Sequence, residues 1–215
     1  MILSIHHQNF ELHPLGAIFW QEKQTLLIAD VHLGKVSHFR KHGSAIPHEA
    51  SFKNFVLIDK VIQQFKPQQI CFLGDLFHSH LNKEWILFEN WRNTFAKIDI
   101  LLIIGNHDII SPSKYEKLHI KTASEWVYKQ FLFTHYPEER VGFFNFSGHI
   151  HPGVALKGIG KQYIKLPCFH KKSNQLVLPA FGVFTGKFII SPEKGDLIYA
   201  ISDYEVLEIP SSLLK

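Results

Sequence analysis

The feature that most constrains this chain is a repeated one. Short apolar runs each stop at an acid, at an imidazole, or at a glycine beside one of them. Thr25 to Asp30 reads TLLIAD, Gln68 to Asp75 reads QQICFLGD, and Ile98 to Asp108 reads IDILLIIGNHD. Gln130 to His135 (QFLFTH) and Gly142 to His149 (GFFNFSGH) have the same form. Apolar runs this short, bounded by turn residues, read as buried strands. Helical stretches lie between some of them. His48 to Phe65 places Phe52, Phe55, Val56, Ile58, Val61, Ile62 and Phe65 on a helical stripe, and Pro47 suits the helix start. Asn82 to Ile98 is the second predicted helix, with Asn82 as its cap. Beyond about residue 120 strands and turns dominate. Strand-helix alternation followed by strands predicts an α/β protein with a two-sheet core and helices outside.

With 215 residues, 46% hydrophobic and 20% charged, the chain can bury a sizeable core as one domain spanning 1–215. No apolar run reaches the roughly 18 residues of a membrane helix. The first residues, MILSIHHQNFELHP, lack the pattern of a secretory leader, so a cytoplasmic protein without a membrane partner is expected. Cys71 and Cys168 make neither a disulfide framework nor a zinc-finger spacing. The net charge of +4 is a mild bias towards anionic partners.

Open α/β sheets bind ligands at the carboxyl ends of their strands. There the chain places Asp30-x-His32, Gly74-Asp75, Gly105-Asn106-His107-Asp108, His135 and Gly148-His149-x-His151. Residues two apart can project to one side, as in Asp30/His32 and His149/His151. All the donors are oxygen or nitrogen, and none is a thiolate, which favours manganese, iron or zinc in an open site over a structural zinc cage. Seven ligands exceed what one tetrahedral ion takes and suit two ions sharing a carboxylate. Paired ions roughly 3.5–4 Å apart are a standard arrangement for phosphoester cleavage. Each motif alone has an ordinary reading: DxH as a cap, GNHD as a turn. Five in order, each after an apolar run, do not. His6, His7, His13, His38 and His42 have no such placement and read as surface or packing residues.

This ordered set resembles the calcineurin-like metallophosphoesterase superfamily. The resemblance implies a four-layer α-β-β-α sandwich with two divalent ions, manganese first among the candidates. One ion would be held by Asp30, His32, Asp75 and His151, the other by Asp75, Asn106, His135 and His149. His107 would face the substrate phosphate, and Asp108 would orient His107. IADVHLGKVSHFRKHG, GDLFHS and LPCFHKKSNQLVLPAFGVFTG are similar to the narrower ligase-associated DNA damage response endonucleases (PdeM). That likeness implies phosphodiester cleavage in single-stranded or damaged DNA. It also implies an ATP-dependent DNA ligase, a helicase and an exonuclease as partners. A phosphatase or pyrophosphatase acting on a small nucleotide or a lipid-linked diphosphate would use the same metals. A purely scaffolding role fits less well, because Asn106, His107 and Asp108 are all present.

Lys35 and Arg40, with Lys41, follow the first motif and can hold a DNA phosphate or form a solvated face. Phe181 and Phe184 can stack on a base or belong to the core. Tyr136 and Pro137 are expected at the pocket rim, and Lys171 and Lys172 in a hairpin turn.

Overall fold

The computed structural model describes residues 1–36, 50, 52–78, 83–157 and 162–213. Arg40, Lys41, Pro47, His48 and Asn82 lie outside the described residues, as do His38 and His42. Among the described residues the strands form two sheets. The first holds β1 (Ile2–Ile5), β2 (Gln8–Leu12), β3 (Ile18–Trp20), β4 (Thr25–Ile28), β5 (Gln69–Leu73), β6 (Asp99–Ile103) and β7 (Ile120–Ala123), side by side in chain order. β1 to β4 run antiparallel and β4 to β7 parallel. Parallel neighbours need crossovers. These contain α1 (Lys53–Phe65), α2 (Lys83–Thr94) and α3 (Pro112–Glu116) in turn. α1 ends where Lys66 adopts a left-handed conformation and its N–H reaches Ile62 O. Pro67 cannot continue the helix. α2 stops short of the predicted Ile98. There the buried Arg92 donates to the carbonyls of Phe95 and Leu118, tying the helix end to the turn before β7.

Alternation decides which way each strand residue faces. Leu26 and Ile28 pack under the helices with Ile58, Val61, Phe88 and Trp91. Leu27 and Ala29 pack against Phe131, Phe133 and Phe146 of the other sheet. Strands buried on both faces are apolar at nearly every position, which is why the runs were legible.

The second sheet holds β8 (Trp126–Tyr128), β9 (Phe131–Phe133), β10 (Phe144–Ser147), β11 (Pro152–Lys157), β12 (Tyr163–Lys171), β13 (Gln175–Val177), β14 (Phe188–Ile189), β15 (Leu197–Ile201) and β16 (Val206–Ile209). β10 runs parallel to both β9 and β13. The β9–β10 crossover is a loop. It is held over the outer face by buried Asn145, which accepts from Glu138 N–H and donates to Leu132 O and Thr134 Oγ1. The core packing therefore supplies the helix, sheet and sheet layers of the expected four-layer α-β-β-α sandwich. On its far side, among the described residues, that loop and a small cluster of Val154, Cys168, Ile190, Ile198 and Ala200 occupy the position of the fourth layer. No helix among the described residues is long and apolar enough to cross a membrane. Both cysteines are buried and free, and burial pushes the Cys168 thiol up to about 12.

Candidate metal centre

Both sheets deliver their chemistry to one edge. Ile28 is level with Phe72, and Leu73 with Ile103, so the loops after β4, β5 and β6 emerge together. In the second sheet His135 follows β9 and Gly148 follows β10, and Gly148 N–H donates to His135 O at 3.1 Å. The two edges are stitched by Phe181 N–H to Ala29 O and Gly182 N–H to Asp30 O.

The backbone there is unusual. Asp30, His32, Asp75, His149 and His151 all have φ between 50° and 66°. Such values are uncommon for residues with a Cβ, though Asp and His tolerate them better than most. They cost on the order of 1–3 kcal/mol each and persist where the surroundings enforce them. The motif glycines provide space for one another's ligands. A Cβ on Gly74 would overlap the His135 ring, one on Gly105 would overlap Asp75 Oδ1, and one on Gly148 would overlap Asp30 Oδ2.

The side chains converge in two groups. Asp30, His32 and His151 offer ligand atoms within 4.8 Å of one another, and so do Asp30, Asp75 and His135. His32 Nε2 lies 3.4 Å from His151 Nε2, and His151 Nε2 lies 3.3 Å from Asp30 Oδ1. On the other side His135 Nε2 is 3.0 Å from Asn106 Oδ1 and 3.2 Å from His149 Nδ1. Asp75 stands between the groups. Its Oδ2 is 3.8 Å from His32 Nε2 and its Oδ1 is 3.6 Å from His135 Nε2. His135 is oriented by its Nδ1–H, which donates to Leu73 O at 3.0 Å. A backbone partner of this kind leaves the other ring nitrogen free to ligate.

This donor set fits divalent cations. Burial, helped by the Lys35 charge and nearby histidines, pushes His32 down to about 2, so its ring is neutral at pH 7. Burial and His135 likewise lower His149, against the pull of Asp30 and Asp75. Neutral imidazoles and ionised carboxylates are the ligand forms. Buried Asp30 Oδ1 lacks a hydrogen-bond partner among the described residues, although it faces the cluster. Lone pairs this close repel one another unless a ring proton or a metal cation lies between them.

All seven sequence-predicted ligands therefore meet at one place. His107 sits beside them, its N–H donating to Asp75 Oδ1 at 2.9 Å. The expectation for Asp108 needs correcting. Its carboxylate does not hold the His107 ring; Oδ1 accepts Phe77 N–H and Oδ2 accepts Gly105 N–H. Asp108 thus joins the second and third motif loops. Burial pushes its carboxyl up to about 6, with those two N–H groups opposing the rise. His107 Nδ1 instead pairs with His78 O at 3.2 Å, and the His78 ring stacks on His107 with centroids 4.9 Å apart. His78 also approaches the His32 ring at 5.5 Å, so it belongs to the site's wall. Its place three residues after Asp75 was the available signal.

Lys35 is half-buried and close enough to Asp75 to feel its charge. Arg40 lies outside the described residues. Phe181 is core, Phe184 is half-buried, and Tyr136 is exposed with its ring 4.3 Å from that of His149, at the rim as expected. Two supporting residues had no sequence signal. Asn54 on α1 donates to Val31 O and accepts from Val183 N–H, and so clamps the first motif loop to the segment after β13. Buried Glu84 on α2 accepts Gly34 N–H at 2.6 Å.

Two packed sheets whose shared carboxyl edge carries paired carboxylates between two groups of imidazoles form a site able to hold divalent metal ions, as in a metal-dependent hydrolase. The calcineurin-like phosphoesterase family matches residues 23–194, and the chain belongs to that family. It is a metal-dependent phosphoesterase, a hydrolase that uses divalent ions. Among solved structures, nuclease MPE from Pseudomonas putida is 26% identical, with a TM-score of 0.81 over 97% of this chain and 99% of that one. Yfce, a phosphoesterase from E. coli, is 13% identical, with a TM-score of 0.45 over 89% of this chain and 99% of that one. No curated protein matches the sequence.

Proposed function

We propose that the chain is a dinuclear, manganese-dependent phosphodiesterase and endonuclease that hydrolyses DNA. Its place would be in DNA repair, beside an ATP-dependent DNA ligase, a helicase and an exonuclease. The observation that carries the reading is Asp75, whose two oxygens each face a different imidazole group. Asp30, His32, Asp75 and His151 would hold one ion, and Asp75, Asn106, His135 and His149 the other. When bound, the ions supply Lewis acidity at the phosphoryl oxygens and lower the pKa of water. The chain does the rest. The His107 ring is held by Nδ1–H donation to His78 O, which leaves Nε2 to carry a proton to the departing oxygen. Lys35 adds positive charge beside Asp75 where a phosphate would sit. The choice of DNA is supported by the full-length likeness to a nuclease and by the tail motif that braces Asp30.

The test is a substrate panel with manganese-loaded protein: single-stranded, nicked and duplex DNA, cyclic nucleotides and dinucleoside polyphosphates. Preferential cleavage of DNA, abolished by His107→Ala, is expected. A clear preference for a small diphosphate would replace this reading with the pyrophosphatase one.

A further inference from the structure

A cleft of about 230 Å³ opens directly beside His151. Leu15 lines it from the β2–β3 turn, Leu57 from α1 and Pro152 from the start of β11. Pro179 and Val183 line it from the segment after β13. Besides His151, two polar side chains stand among these, Thr185 and Lys187. Apart from His151 the cleft is built from residues outside the candidate ligand set, and no step described above uses it.

Its position decides what it can hold. His151 is common to the cleft and the candidate metal centre, so whatever sits there is attached to, or next to, the reacting phosphate. Its volume lies below the roughly 300–1,000 Å³ of sites for drug-sized ligands. There is room for one base and its sugar, but not for a base pair. The leucine, proline and valine side chains suit the faces of a nucleobase, and the Lys187 charge suits a neighbouring phosphate. The walls are also fixed, because Phe181, Gly182 and Val183 are hydrogen-bonded to Ala29, Asp30 and Asn54.

We infer that this cleft is a subsite for a single unpaired nucleobase flanking the scissile phosphate. Lys187 would contact the next phosphate along the strand. The inference rests on the phosphodiesterase reading and adds to it a reason for selecting unpaired strands. A duplex would have to unstack a base to fill the cleft, which disfavours it.

Gly186 offers a clean obstruction. It lines the cleft, and a Cβ placed there meets nothing within 4 Å, so Gly186→Leu can add bulk at the cleft from a position with room for a side chain. The probe is a dT octamer compared with an abasic octamer of equal charge, by fluorescence anisotropy at fixed salt. The wild type is expected to bind the dT octamer roughly tenfold more tightly, as one base–protein contact would give. Gly186→Leu is expected to bring dT affinity down to the abasic level, with its melting temperature confirming the fold. Lys187→Ala is expected to weaken both oligomers alike. Equal or undetectable binding of the two oligomers by the wild type overturns the subsite. A base preference that persists in Gly186→Leu overturns it too. Absence of cleavage while the base preference stands overturns the phosphodiesterase reading instead and leaves the subsite in place.

Discussion

Asp75→Asn keeps the side chain's size and removes the charge that both imidazole groups face. It is expected to reduce the bound metal from two ions to one or none. The loss in turnover is expected to be at least about 100-fold, since changes even outside the ligand set can cost 10–100-fold. Elemental analysis and diester hydrolysis on the same sample check this. His107→Ala is expected to separate the two readouts: full metal content, with turnover reduced by about 10²–10⁴-fold. Metal loss in that variant would place His107 among the ligands. The glycines make a third claim. Gly148→Ala puts a methyl group into Asp30 Oδ2 and Ala29, whereas Gly186→Ala meets nothing. Metal affinity is expected to fall in the first and hold in the second, by isothermal titration with manganese. Unchanged affinity in Gly148→Ala would show that the crowding is unimportant.

At the scale of elements, the apolar runs were legible because parallel strands covered on both faces leave few polar positions to blur them. The residues that converge at the candidate site were legible because each motif follows closely on a strand. The first hairpin was not. β1 and β2 are joined by His6 and His7, both at positive φ, where Asn-Gly would have been the usual sign. Asn54 and Glu84 were also invisible, since a polar residue on a helix normally faces water, and only the packed fold shows the backbone groups they bind. Asp108 was found, but its partners were misassigned, because spacing alone does not show which donors reach a carboxylate. Asn145 tests the loop that packs over the second sheet. Asn145→Ala strands buried partners and is expected to cost about 1–3 kcal/mol by denaturant unfolding. An unchanged midpoint would mean that the loop is held otherwise. On the same outer face His170 Nε2 and Asp196 Oδ2 pair at 2.7 Å. Burial acts to raise the Asp196 carboxyl, but the Glu193 N–H and the His170 ring together bring it below its ordinary value. A depressed carboxyl stabilises the fold above its unfolded pKa and loses that contribution as pH falls through the folded one. Asp196→Asn is therefore expected to be less stable than wild type at pH 7, with the gap closing below about pH 4. A gap of constant size down to pH 2 would rule out the charge as its source.

For the molecule as a whole, the two sheets do different work. The first supplies three motif loops from parallel strands and buries its other face under α1, α2 and α3. The second supplies the remaining imidazoles, and the segment after its strand β13 locks the first motif loop in place. Neither sheet alone completes either group of ligands, because His151 meets Asp30 and His135 meets Asp75 only across the sandwich. Assembly of the centre is thus a consequence of packing Leu27, Ala29, Cys71 and Leu73 against Phe131, Phe133 and Phe146. The central claim is that this shared edge holds a pair of ions bridged by Asp75. The direct measurement is the metal content of the active, manganese-reconstituted chain, titrated against its rate of diester hydrolysis. Two ions per chain, with activity rising to its maximum only as the second binds, is the expected result. Full activity with a single ion bound would contradict it.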